Sequence, residues 1–190
     1  MEYRKFDNVI IARIDKGEEI LEQLKAIAIN ENIKLASINA LGAINDFTIG
    51  VYKTDEKKYY SNSFKGYYEI ASLTGTINTM DGEYYAHLHM SVGNEKGEAF
   101  GGHLNRAVVS ATCEMVITVI DGKVDRVYDE ETGLNVFKFA NFPFEKEVLK
   151  KAGKKDLGLV FALIRVRKHW WDDIPKSSVM DCVLTESYVK

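Results

Sequence analysis

The chain has 190 residues, two prolines, 46% apolar and 28% charged residues, the make-up of an ordinary globular protein of one domain plus at most an appendage. A net charge of −3 argues against nucleic-acid binding through a basic surface, and no apolar run approaches the ~18 residues of a membrane span. The N-terminus lacks the apolar core of a signal peptide, so the expected location is cytoplasmic, where Cys113 and Cys182, far apart in sequence, stay free thiols.

In chain order, KFDNVIIARI (5–14) reads as a strand. A helix follows: Asp15 and Glu18 have the spacing of a capping box, and Ile20, Leu21, Leu24, Ile27 and Ala28 recur at helical period. The period then changes to two. IKLASINALGAINDFTIGVYK (33–53) reads as strand, with Gly42 and Gly50 marking bulges or close backbone approach. KKYYSNSF and GYYEIASLTGTI are two further strand candidates, and Asp81-Gly82 is a hairpin turn into YYAHLHMSV. After the turn GNEKGE come AFGGHL and the long strand VVSATCEMVITVI, closed by Asp121-Gly122; KVDRVYDEETGLNVFKF completes the region. The expected fold is α+β: a mostly antiparallel β-sheet with one early helix packed on it, over residues 1–139. Residues 140–190 are expected to be a C-terminal appendage for packing or oligomer contact, with FEKEVLKKAGKK a candidate helix and DLGLVFALIRVRKHWW a helix or buried strand.

Three of the four histidines fall in HLHMSVGNEKGEAFGGHL (87–104). Strand side chains alternate faces, so Ala86, Leu88, Met90 and Val92 form a core face while Tyr85, His87, His89 and Ser91 point the other way. Residues two apart on a strand are about 6.7 Å apart along its axis, close enough for two inward-leaning imidazoles to share an ion at about 2.0–2.1 Å from each. His103 becomes a third ligand if GEAFGGHL folds back beside the first strand, an approach that Gly101 and Gly102 ease. Three imidazoles suit zinc, iron, nickel or copper, zinc first, and leave a position for water or a substrate atom. His169, beside Trp170 and Trp171, reads as a surface or packing residue.

Several motifs agree in order: GYYEIASLTG (66–75), HLHMSVG (87–93), GGHL (101–104), VVSATCEMVITV and DEETGL (129–134). The sequence so resembles the plants-and-prokaryotes conserved (PPC) domain, which in plants is joined to AT-hook DNA-binding motifs, over about residues 3–139. The resemblance implies an α+β fold around an antiparallel sheet, assembly as a homotrimer, and metal held on histidines, here His87, His89 and His103. The plant segment Gly-Arg-Phe-Glu-Ile-Leu, tied to protein–protein contact, corresponds to Gly66, Tyr67, Tyr68, Glu69, Ile70 and Ala71, where Tyr replaces Arg and Ala replaces Leu.

No Arg-Gly-Arg-Pro core occurs, so the AT-hook's means of reaching the minor groove is missing from this sequence. Residues 1–139 carry 15 basic against 21 acidic side chains, a net of −6, whereas 140–190 carry 10 against 7, a net of +3. Direct DNA binding is therefore not expected, and any association with DNA runs through a protein partner. Glu69 is a candidate to hydrogen-bond a ligand ring or to sit at a subunit interface. GNEKGEAFGG matches neither a dinucleotide nor a phosphate loop. The function expected is a metal-binding homotrimeric module with a regulatory or scaffolding role. The alternative is a metal-dependent hydrolase or lyase acting on a small molecule through water activated at the open position.

Overall fold

The computed structural model describes residues 1–139. The expectations for residues 140–190, including the candidate helix, His169, Cys182 and the appendage itself, lie outside the described residues. In order, the elements are β1 (Glu2–Phe6), β2 (Val9–Asp15), α1 (Ile20–Asn30), β3 (Ala36–Lys53), β4 (Lys58–Met80), β5 (Glu83–Gly93), β6 (Ala99–Val119), β7 (Asp125–Asp129) and β8 (Leu134–Lys138). All pairings between these strands are antiparallel, so a mostly antiparallel sheet with one short helix is what the sequence period foretold. Among the described residues no helix is long and apolar enough to cross a membrane.

Six strands form one sheet in the order β1-β2-β6-β3-β4-β5, and β7 and β8 form a separate hairpin. The first residues of β6 also pair with β5. Strands β3, β4, β5 and β6 thus close into a ring, which covers the outer edge of β5 over His89–Gly93. The core includes Ile38, Ile44, Phe47, Leu73, Ile77, Leu88 and Met90, all essentially inaccessible to solvent. The helix packs on β6 and β5, burying Ile20, Leu24, Ile27 and Ala28.

Four expectations need correction. The first strand candidate is a hairpin, β1 and β2, turning at Asp7, which adopts φ +51°; aspartate tolerates this left-handed conformation without a glycine to announce it. The helix starts later than the Asp15–Glu18 spacing suggests, because Asp15 is still paired with Thr112 in β2. Only half of the box forms, Glu18 Oε2 accepting from Asp15 N at 2.8 Å. The cap is Glu19, whose Oε2 accepts from Glu22 N while its Oε1 accepts from Ala107 N, each at 2.8 Å, tying the helix start to β6. The two candidates KKYYSNSF and GYYEIASLTGTI are one strand, β4: Gly66, at φ +133°, lies within it at a register shift against β3. AFGGHL and VVSATCEMVITV likewise run on as β6. Elsewhere the local signals hold. Asp81 and Gly82 both adopt positive φ in a two-residue turn, and Gly42 sits at a register shift where an added Cβ would lie 2.7 Å from Cys113 Cα.

Cys113, on β6, is fully buried, and burial pushes its thiol up to about 12, with Glu114 adding to the rise. At pH 8 only about one molecule in 10⁴ then carries the thiolate that reacts. In a Cys182→Ser variant, native protein should release no chromophore from a disulfide reagent at pH 8, and guanidinium-unfolded protein one equivalent. Rapid labelling of the native form would contradict the buried placement.

Candidate metal centre

Three strands carry the site. On β5 the predicted parity holds: Leu88, Met90 and Val92 are buried, while His87 is half-buried and His89 exposed on the opposite face. On β4, Thr76 and Thr74 stand opposite His87 and His89. The chain turns after Gly93, where Asn94 Oδ1 accepts from Lys96 N and Glu98 N at 3.0 Å each. It then returns as β6, setting His103 directly opposite His89. The approach depends on missing side chains: a Cβ on Gly101 would lie 2.5 Å from Met90 O, and one on Gly102 2.6 Å from Gly50 O.

His103 also pairs with Gly50 of β3, so it projects from the middle of three strands. The ring of Tyr59 occupies the space above Gly50. It meets His103 edge-on at 6.1 Å between centroids, and its hydroxyl donates to Asn105 Oδ1 at 2.6 Å. Tyr59 is a wall of the cluster, and nothing in KKYYSNSF, which reads only as a strand, shows that this ring meets a histidine of β6.

The three imidazoles form a nearly equilateral triangle, with centroids 5.2, 5.0 and 5.5 Å apart. His87 Nε2 and His89 Nε2 are 3.3 Å apart, and one nitrogen from each ring lies within 4.8 Å of the others. Three nitrogens bound tetrahedrally at about 2.05 Å stand about 3.3 Å apart, and their ring centroids about 5.2 Å apart. The histidine set therefore fits a tetrahedral transition-metal ion with one position left over. Burial, reinforced by His103, Arg126 and His89, pushes His87 down to about 4; burial and then His89 lower His103. These two rings are therefore neutral near pH 7, the form that ligates metal.

Glu69 is not part of this arrangement. It is exposed, pairs with Gly93 and Ala43, and lies five residues from Thr74, roughly 16 Å along the strand. It cannot hydrogen-bond a ring of the cluster, and its exposure leaves the interface role. The residue beside His87 is instead Arg126 of β7, only 6% exposed. Its Nη2 lies 3.4 Å from His87 Nδ1, its Nε donates to Asn78 Oδ1 at 3.0 Å, and its Nη1 donates to the Asn135 carbonyl at 2.6 Å. Its guanidinium stacks on Tyr85 and Phe137, 4.7 and 4.4 Å from the ring centroids. No local signal in KVDRVYD marks this arginine, because every partner comes from another strand.

Two depressions lie elsewhere on the described residues. One, of about 290 Å³, is lined by Leu21, Tyr84, Ala86, Leu88 and Leu104 on the helix side. The other, of about 580 Å³, lies along β1 and β2.

Fold and cluster together define a small antiparallel-sheet domain that gathers three histidines on the outer side of a closed ring of strands. Residues 1–121 match the Plants and Prokaryotes Conserved (PCC) domain; the chain belongs to this family. Solved structures agree. A candidate DNA-binding protein of Bacteroides thetaiotaomicron is 33% identical, with a TM-score of 0.71 over 73% of this chain and 96% of that one. A metal-containing protein of Archaeoglobus fulgidus is 31% identical, with a TM-score of 0.66 over 73% and 96%. A plant- and prokaryote-conserved (PPC) protein of Pyrococcus horikoshii is 30% identical, with a TM-score of 0.64 over 74% and 96%. Comparison with curated proteins finds no match.

Proposed function

We propose that this chain is a metal-binding module that works as a homotrimer in a regulatory or scaffolding role, with zinc on His87, His89 and His103. The observation that carries the reading is the triangle of imidazoles, whose centroid spacings of 5.0–5.5 Å suit a shared tetrahedral ion. A relative described as metal-containing points the same way. Self-association is supported by an outward-facing apolar strip. Ile11 and Val116 are cross-strand partners, Leu41 lies diagonally beside Val116 on β3, and all three are 40–57% exposed. The acidic balance of residues 1–139 favours contact with DNA through a protein partner rather than directly, whatever the Bacteroides relative does.

The test is elemental analysis of purified protein together with its solution mass. One transition-metal ion per chain and a mass of three chains are expected. A metal-free preparation that refuses added zinc would overturn the metal assignment, and a monomeric mass the trimer.

A further inference from the structure

The chemistry on the far side of the His87 ring is the reverse of what a metal ligand ordinarily has. Metal-bound histidines almost always donate their other ring N–H to a carboxylate, a carbonyl or water. Here His87 Nδ1 meets Arg126 Nη2 at 3.4 Å, and a guanidinium can only donate. The arginine cannot easily turn away. Its Nε and Nη1 are anchored to Asn78 and the Asn135 carbonyl, and aromatic rings of Tyr85 and Phe137 stack on it. None of the ion pairs among the described residues includes it.

We infer that Arg126 is a positioning residue that holds the proton of neutral His87 on Nε2 and so keeps the metal affinity of the cluster low. The donor at Nδ1 makes that atom the lone-pair nitrogen. The ring proton then sits on Nε2 and points at His89 Nε2, 3.3 Å away. In the metal-free cluster one hydrogen-bond chain runs from Arg126 through His87 to His89, occupying two of the three lone pairs a metal needs. For His87 to ligate through Nε2, its proton must move to Nδ1. There it faces the guanidinium N–H, donor against donor, with a full positive charge behind it. A side chain that accepts at this place would favour the ligating tautomer instead.

This inference rests on the metal-binding reading, and it adds that the site is tuned for reversible rather than permanent loading. Partners of this kind change metal affinity roughly 10–100-fold in known sites. The experiment compares native protein, Arg126→Gln and Arg126→Lys, using nitrogen NMR of the histidine rings in metal-free protein and competitive titration with zinc alone. Native His87 should show an unprotonated Nδ1. Arg126→Gln, which offers a carbonyl oxygen and removes the charge, should move the proton to Nδ1 and bind zinc about tenfold tighter or more. Arg126→Lys, still a cationic donor, should stay near native affinity. A proton on Nδ1 of native metal-free His87 overturns the inference even if the variants fail to fold. Equal zinc affinity in native protein and Arg126→Gln overturns the inference alone, whereas zinc refused by both overturns the metal reading beneath it.

Discussion

Replacing Phe47 by alanine is expected to destabilise the domain by about 3–5 kcal/mol, the range for deleting a buried aromatic ring. Phe47 is wholly buried and sits at the hub of an aromatic group. Phe64 stacks on it at 5.1 Å, Tyr68 meets it edge-on at 5.0 Å, and Phe100 lies 6.3 Å away. These rings come from β3, β4 and β6, so neighbours held in three strands cannot collapse freely into the hole. Against a total stability of about 5–15 kcal/mol, the loss should lower the melting temperature by roughly 10 °C or more, read by circular dichroism. Phe47→Leu, which keeps much of the volume, should cost less than half as much. A loss under about 1 kcal/mol for the alanine variant would show that the rings do not form one packed unit. The damage should also reach the cluster: Phe47 pairs with Ala107, and Phe100 lies three residues before His103 on the same strand.

What could be read from the sequence depended on range. The parity of β5 was legible because alternation is a local property: Leu88, Met90 and Val92 demand the core, and His87 and His89 are left no other face. The return of His103 was legible in outline, since Gly101 and Gly102 announce close backbone approach. Its register opposite His89 was not, because the turn Asn94–Glu98 sets it through bonds to Asn94 Oδ1. Breaks that rest on glycine were over-read and those without it were missed. Gly66 stays inside β4, whereas Asp7 turns the chain unannounced. Asp15 and Glu18 have the right spacing for a cap, but a strand pairing to Thr112 outranks a local cap. Arg126 was invisible for a stronger reason. Its partners Asn78 and His87 are 48 and 39 residues away, and a cation between Asp125 and Val127 looks like any solvated position of an alternating strand.

Removing His103 should separate metal binding from folding. Structural zinc sites provide about 10–16 kcal/mol; shared over four ligands, one imidazole is worth about 3 kcal/mol, so His103→Ala should weaken zinc binding about 100-fold. The metal-free fold should hardly notice. His103 makes an edge contact with Tyr59, but Tyr59 keeps its bond to Asn105, and β6 keeps its pairing to β3 and β5 through backbone groups. His87→Ala would be a poorer choice, because it also strips the acceptor from a buried guanidinium and mixes the two effects. The readout is thermal stability with and without zinc, since a ligand that binds only the folded state stabilises by RT ln(1 + [L]/Kd). Native protein should gain several degrees at saturating zinc, and His103→Ala little at the same concentration, with metal-free melting within about 1 kcal/mol of native. An equal zinc-induced gain in both would mean that the ion sits elsewhere. The contrast is sharp because His103 alone comes from a different strand than the other two rings. A shared ion would pin β5 to β6 where the ring of strands closes, so losing this imidazole removes a cross-link as well as a ligand.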